Sequence, residues 1–469
     1  MNLYLLQSLQ LASRDVNSIL QSSRRFTHLK IVELNFAEVS VYESVTLILE
    51  KFGSEIENMQ ILSCGISGFI DVLNSVPNVK SVLLSDLCCL QEKPILNIEE
   101  LHLKKLEDLK IDSCDSEFVE VFIDLPKDVL INLFICSKQL RFAEDIFQNQ
   151  TKIKNLDLSC SVYESDERLN LDQLNLTHLR YENKRATTSE FINILKSQPN
   201  LVSLDLFGHK SKSRLLNEIG NLKHLNVLKL NVEKLSIQEF ITFKFDSLTE
   251  LEIEYDHHDH TVDHIQALSY IQNTKLTSLI IKVYDLDFDS EVMTRLAKNN
   301  PNLKLIEIEN QNLNESIVCA FLKNCKNLET LRTTFCHSES TTNGSFNSLF
   351  NETGMENPKL KDLKLFGIKL NLNEILEPLC VNYPNLEVIA LSPAPKLFDD
   401  DLKYLLQKLT KLRELEITDD LSLASLGLIM EHGTNLETIN APFKFGSIAS
   451  YYFEKRLKPI TFNFERFGG

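Results

Sequence analysis

The stretch EYDHHDHTVDH, residues 254–264, concentrates four histidines and three aspartates. Imidazole and carboxylate are common zinc donors. His260 and His264, four residues apart, would share one face of a helix, with Asp256 or Asp263 as a third donor. A metal site also needs its donors held rigidly. Here they fall between a strand-like run at 248–253 and a helical pattern over 261–273, in which Val262, Ile265, Leu268 and Ile271 recur on one face. Asp259 or Thr261 supplies an ordinary helix N-cap at that junction. The stretch therefore reads as a polar turn, and no metal or other cofactor is assigned to it.

The cysteines show no CxxC and no zinc-finger spacing. Cys64, Cys114 and Cys336 each lie three residues after the end of an apolar strand pattern, where a small buried thiol fits. Cys88–Cys89 reads as a vicinal pair in a turn. Phosphate-binding glycine loops, G-x-S-x-G elbows and H-E-x-x-H helices are absent, so no catalytic residue is assigned and the chain is expected to be non-enzymatic. A net charge of −17 over 469 residues argues against nucleic acid or an anionic membrane as partner. No apolar run approaches the roughly 20 residues of a membrane span. Ten cysteines are too few for a disulfide scaffold and fit reduced thiols in the cytoplasm or nucleus.

What must position any site is a repeated spacing. NLVSLDL (200–206), HLNVLKL (224–230), SLTELEI (247–253), KLTSLII (275–281) and NLKLIEI (302–308) read L-x-x-L-x-L, with an occasional Ile in place of Leu. NLETLRT, KLKDLKL, NLEVIAL, KLRELEI and NLETINA continue it from 327 to 441. Upstream, RFTHLKI (25–31), EIENMQI (55–61), NVKSVLL (78–84), KLEDLKI (105–111), VLINLFI (129–135), KIKNLDL (152–158) and NLTHLRY (175–181) share the register. NIEELHL (97–103) also matches but lies too close to Leu106 to be a separate unit, so one of the two is a loop. From Leu201 through Leu225, Leu248, Leu276 and Leu303 to Leu328 the intervals are 24, 23, 28, 27 and 25 residues.

About seventeen units with this period carry the leucine-rich-repeat signature. One unit cannot bury its three apolar side chains alone, so neighbours must stack. Amphipathic stretches such as 189–200, 290–302 and 315–327 separate the strands. The expected fold is an α/β leucine-rich-repeat solenoid, a horseshoe with a parallel sheet on its concave face and helices on its convex face. It occupies 26–469, behind an N-terminal helical cap at 1–25. PITFNFERF (459–467) alternates Ile460, Phe462 and Phe464 and predicts a final capping strand. The Ser-, Thr- and Asn-rich segment 336–358 lengthens one unit and reads as a surface insertion.

Alternation along each strand sends the residues flanking the second and third apolar positions to the concave face. From three adjacent strands these are Glu250, Glu252 and Glu254; Ser278, Ile280 and Lys282; and Leu305, Glu307 and Glu309. Glu414 and Glu416 form a second acidic spot. The eight charged residues among them, Glu250, Glu252, Glu254, Lys282, Glu307, Glu309, Glu414 and Glu416, are the expected partner-binding surface, suited to a protein target of basic character.

The phrase L-x-x-x-P-N-L-x-x-L-x-L, as in ILKSQPNLVSLDL (194–206), and the opening ILQSSRRFTHLKI (19–31) resemble the F-box/leucine-rich-repeat family, with ribonuclease-inhibitor-like repeats more generally. The resemblance spans nearly the whole chain. It implies a substrate-recognition subunit for ubiquitin-dependent degradation, joined to a cullin–RING ligase through a Skp-type linker. The alternative is an inhibitor-like binding protein unconnected to ubiquitin. Residues 4–20, YLLQSLQLASRDVNSIL, would correspond to the last helix of an F-box. The Leu-Pro opening and Val-Cys-x-x-Trp close of an F-box do not occur there, which leaves the F-box degenerate or missing.

Overall fold

The computed structural model describes residues 8–12, 31–35, 49, 53–62, 69–87, 101–136, 143–159, 169–182, 187–206, 213–232, 246–255, 266–283, 289–310, 315–334, 355–366, 372–392, 398–417, 422–440 and 461–463. The chain divides into two compact units, Met1–Lys210 with Asn217–Leu225, and Ser211–Leu216 with Asn226–Gly469. Each is a stack of strand–turn–helix–turn repeats, an α/β leucine-rich-repeat solenoid.

In the first unit the strands are β1 (Ser8–Ala12), β2 (Ile31–Asn35), β3 (Asn58–Leu62), β4 (Ser81–Ser85), β5 (Asp108–Asp112), β6 (Asn132–Cys136), β7 (Asn155–Ser159), β8 (His178–Glu182) and β9 (Ser203–Leu206). Each pairs in parallel with the next. The apolar positions of the hexad are buried, as with Leu106, Leu109 and Ile111, or Leu176, Leu179 and Tyr181. Helices α1 (Phe69–Asn74), α2 (Ser116–Glu120), α3 (Ala143–Asn149) and α4 (Thr188–Ser197) return the chain between strands. Thr187 caps α4 by accepting from the Glu190 N–H. Its buried face, Phe191, Ile194 and Leu195, meets the strands, with the Phe191 and Tyr181 rings 5.1 Å apart. Helix α5 (Ser213–Ile219) is shared between the two units.

The second unit contains β10 (Val227–Val232), β11 (Glu250–Tyr255), β12 (Ser278–Val283), β13 (Leu305–Glu309), β14 (Thr330–Thr334), β15 (Asp362–Phe366), β16 (Val388–Ser392), β17 (Glu414–Ile417), β18 (Thr438–Asn440) and β19 (Thr461–Asn463), again parallel throughout. Its helices are α6 (Ser290–Asn299), α7 (Glu315–Asn324), α8 (Leu372–Asn382), α9 (Asp399–Lys408) and α10 (Leu423–His432). Among the described residues no helix is long and apolar enough to cross a membrane.

Three ladders fix the register between repeats. Buried amides three residues before the first leucine satisfy backbone groups of the preceding repeat, which would otherwise be orphaned in the core. Gln198 accepts from the Leu176 N–H at 2.9 Å and donates to the Leu171 carbonyl at 2.7 Å. Asn300 accepts from the Asn273 N–H at 2.9 Å and donates to the Ile271 and Leu296 carbonyls. The asparagines directly before the first leucine tie neighbouring turns, Asn302 to the Thr274 carbonyl and Asn385 to the Pro358 carbonyl. Directly after that leucine the charges alternate through Lys304, Glu329, Lys361, Glu387, Arg413 and Glu437. Ion pairs of 3.9 Å (Lys304–Glu329), 3.6 Å (Lys361–Glu329), 3.8 Å (Arg413–Glu387) and 2.7 Å (Arg413–Glu437) join them.

Three expectations change. Ser8–Ala12 is a strand in register with β2, Leu9 against Val32 and Leu11 against Leu34, and not part of a helical cap. Its Leu-Gln-Leu alternation has the period of two that a strand requires. The second strand is displaced by three residues, because RFTHLKIVEL contains two overlapping hexads and Leu29–Leu34 is the one in register with Met59 and Ile61. The insertion read over 336–358 ends earlier than expected. Met355 and Asn357 are buried, and Asn357 donates to the Leu328 carbonyl at 2.9 Å, while 336–354 lies outside the described residues. The two hexads at 97–111 resolve in favour of KLEDLKI, which forms β5. Leu101 and Leu103 nevertheless enter the core from a turn.

Candidate functional site

The outward positions of β10 to β18 form three rows across the second unit. The first runs Val227, Glu250, Ser278, Leu305, Thr330, Asp362, Val388, Glu414, Thr438. The second runs Lys229, Glu252, Ile280, Glu307, Arg332, Lys364, Ala390, Glu416, Asn440. Asn231, Glu254, Lys282, Glu309 and Thr334 begin the third. All eight residues expected to bind a partner stand on this one face.

Their charges are organised around cations. Glu252, with a side chain only 14% exposed, is held by Lys229 at 2.9 Å and by Lys282 at 2.5 Å. Partial burial works against its ionised form, but the two lysine contacts outweigh it and hold the carboxyl below the usual range. Lys282 is the counterpart. Partial burial opposes its charge, yet the hydrogen bond to Glu252 and the fields of Glu252, Glu254 and Glu309 hold the ammonium above its usual range. Arg332 binds Asp362 through Nη2 at 2.5 Å and Nε at 3.1 Å. That bond, against some desolvation and with the charges of Glu307 and Glu414, raises its affinity for the proton. Lys364 reaches Glu414 at 2.9 Å over the intervening β16.

The face is thereby divided. Over β14 to β17 the ion pairs lie against the sheet. Asp362 is only 9% exposed and Ala390, though outward in register, is fully buried. Over β11 to β13, Glu250 is exposed, and Ile280 and Leu305 are half-buried apolar side chains at the centre of the acidic array. Asp362 Oδ1, at the border, is a buried acceptor with no hydrogen-bond partner.

Lys229, Arg332, Asp362, Lys364 and Ala390 were not singled out from the sequence. Their signal was available, since each occupies an outward position of a recognised hexad: HLNVLKL, NLETLRT, KLKDLKL and NLEVIAL. The histidine-rich stretch falls at 256–265, outside the described residues, beyond the buried Tyr255 that ends β11. Among the described residues no group of three or more His, Cys, Asp or Glu is placed to hold a metal ion. Cys114 is buried, donates to the Asp112 carbonyl, and has its thiol pushed up to about 12 by burial. Cys64, Cys88, Cys89 and Cys336 lie outside the described residues.

The first unit presents a different outward face. Asn132 donates to Asp108 and Asn155 donates to Asn132, a side-chain chain across three strands. Lys110 lies 4.6 Å from the centroid of the Phe134 ring. Arg180 sits between Asp157 at 3.7 Å and Asp205 at 3.5 Å.

No protein-family model matches the chain, and no curated protein matches it. Solved structures do. A chain of the TLR13–ssRNA13 complex is 15% identical over 93% of this chain, with a TM-score of 0.50; this chain spans 62% of its length. A leucine-rich-repeat protein of Leptospira interrogans is 14% identical over 77% of this chain and 96% of its own, with a TM-score of 0.36. A chain of the yeast Rad7–Elc1 complex is 14% identical over 82% and 79%, with a TM-score of 0.34. At these identities the first likeness speaks for the fold, that of a leucine-rich-repeat protein.

Proposed function

We propose that this chain is a non-catalytic recognition scaffold whose binding surface is the outward sheet face of its second unit, and whose ligand is a protein with a basic surface. The observation that carries this reading is the array over β11 to β13. Five glutamates stand in fixed rows around Ile280 and Leu305, on strands whose register the ladders hold. An excess of carboxylates over ammonium groups on a rigid sheet favours a partner of opposite charge. The thiols of Cys136, Cys325 and Cys380 suit a reducing compartment, cytoplasm or nucleus.

A narrower reading makes the scaffold a substrate-recognition subunit for ubiquitin-dependent degradation, joined to a Skp-type linker. Its support is the L-x-x-x-P-N-L-x-x-L-x-L phrase shared with F-box/leucine-rich-repeat proteins. The helix expected at 4–20 does not serve it, since Ser8–Ala12 belongs to the sheet.

Coupling the purified chain to extract proteins with a zero-length carbodiimide reagent, which joins carboxylates to partner lysines, tests the wider reading. Cross-links concentrated at Glu250, Glu254, Glu307 and Glu309 are expected; cross-links confined to Glu291 and Glu431 on the helices would contradict it. A pull-down with purified Skp-type linker tests the narrower one, with an intact F-box fused to the chain as positive control. Binding by the unfused chain supports ligase delivery. Failure with a working control leaves a scaffold without that link.

A further inference from the structure

We infer that the second unit's sheet face, from the open strands β11 to β13 to the ion-paired Asp362 on β15, docks a protein segment carrying one apolar side chain between two cations, each about 10 Å from it. This rests on the recognition reading above and specifies its ligand. Adjacent strands lie about 4.8 Å apart, so residues two strands apart in one row are separated by about 10 Å. In the first row Glu250, Leu305 and Asp362 stand two strands apart in succession, with Ser278 and Thr330 between them.

Each position has its own chemistry. Glu250 is an exposed carboxylate at one end. Leu305 is half-buried, and Ile280 on the neighbouring strand sits one row along, so the two make an apolar patch. At the far end Asp362 Oδ1 is buried and accepts no hydrogen bond, because Arg332 engages only Oδ2. A buried acceptor left unfilled costs on the order of 1–3 kcal/mol. An ammonium or guanidinium arriving beside Thr330 would supply the donor if the Asp362 carboxylate turns Oδ1, buried here, toward it. Glu307, two residues along β13 from Leu305, adds to the negative field under the segment.

The closed part of the face explains why the site is here and not at the second acidic spot. Lys364 already occupies Glu414 across β16, where the outward Ala390 is fully buried. Over β11 to β13 the apolar side chains remain available. The segment's pattern follows from its conformation. In a polyproline-type segment residues three apart face the same way at about 9.3 Å, which gives cation-x-x-apolar-x-x-cation.

A display library of random ten-residue peptides, selected on the full chain, tests this. The enriched peptides should share Lys or Arg three residues to either side of a large apolar residue. Their affinity should fall about tenfold with Leu305→Ser and about threefold with Glu250→Gln. Lys403→Gln, on the exposed side of α9, should leave it unchanged, and thermal melts of each variant should match the parent. Enriched peptides without paired cations, or equal binding by L305S and E250Q, would overturn the proposal. So would a selection that enriches nothing, whereas the wider recognition reading answers to the cross-linking map.

Discussion

Lys364 and Glu414 form an ion pair of 2.9 Å although β16 separates their strands. The lysine side chain must span β16, whose Ala390 lies between Lys364 and Glu416 in its row and is fully buried. The methyl group is what leaves the path open. Replacing Ala390 with Leu should break the pair. In a double-mutant cycle followed by urea unfolding, the Lys364–Glu414 coupling should drop from about 1 kcal/mol to near zero. An unchanged coupling would show that the lysine takes another route.

The amide ladder makes a stronger demand. Asn300 satisfies the Asn273 N–H and the Ile271 and Leu296 carbonyls from within the core. Asn300→Leu keeps the volume and strands those groups, so it should cost about 3 kcal/mol. Asn302→Ala removes one exposed contact to the Thr274 carbonyl and should cost about 0.5–1 kcal/mol. Equal costs would mean that the ladder is incidental to the stacking.

Along the edge, Glu329 lies 3.9 Å from Lys304 and 3.6 Å from Lys361. Glu329→Lys would place three lysines in succession. The expected loss is about 1 kcal/mol at low salt, shrinking at 0.5 M salt as screening grows. A loss insensitive to salt would point to packing and not to charge.

Much of this fold was legible beforehand because burial enforces it. Every strand needs its hexad, so Leu248, Leu251 and Ile253, or Leu360, Leu363 and Leu365, announce their positions by spacing. The strand at Ser8–Ala12 escaped notice because its Leu-x-x-Leu-x-Leu sat inside a run that also resembles a helix. The shift of β2 was hidden by two overlapping hexads, which only the partners on β1 and β3 separate. The acidic rows were readable from alternation within strands. Their neutralisation was not, because Lys229 meets Glu252 and Arg332 meets Asp362 only when register between repeats is known.

The Glu252 carboxyl gives a pH signature. Its folded-state affinity for protons is lowered, so its contribution to stability is complete above the ordinary glutamate value of 4.5 and is lost as pH falls through the depressed one. The stability gap between the parent and Glu252→Gln should be widest near neutrality and narrow progressively below pH 4.5. Urea midpoints measured across that range would reveal it. A gap that stays constant with pH would show that Lys229 and Lys282 do not favour the ionised form.

The most direct test joins the site to binding. Glu250, Glu252, Glu307 and Glu309 would be changed together to Gln, and capture of the cross-linked partner compared with that of the parent chain. With the far-ultraviolet spectrum preserved, the account predicts that partner capture falls at least about tenfold and that the parent's own capture weakens with added salt. Undiminished capture by the quadruple variant would contradict recognition by this face.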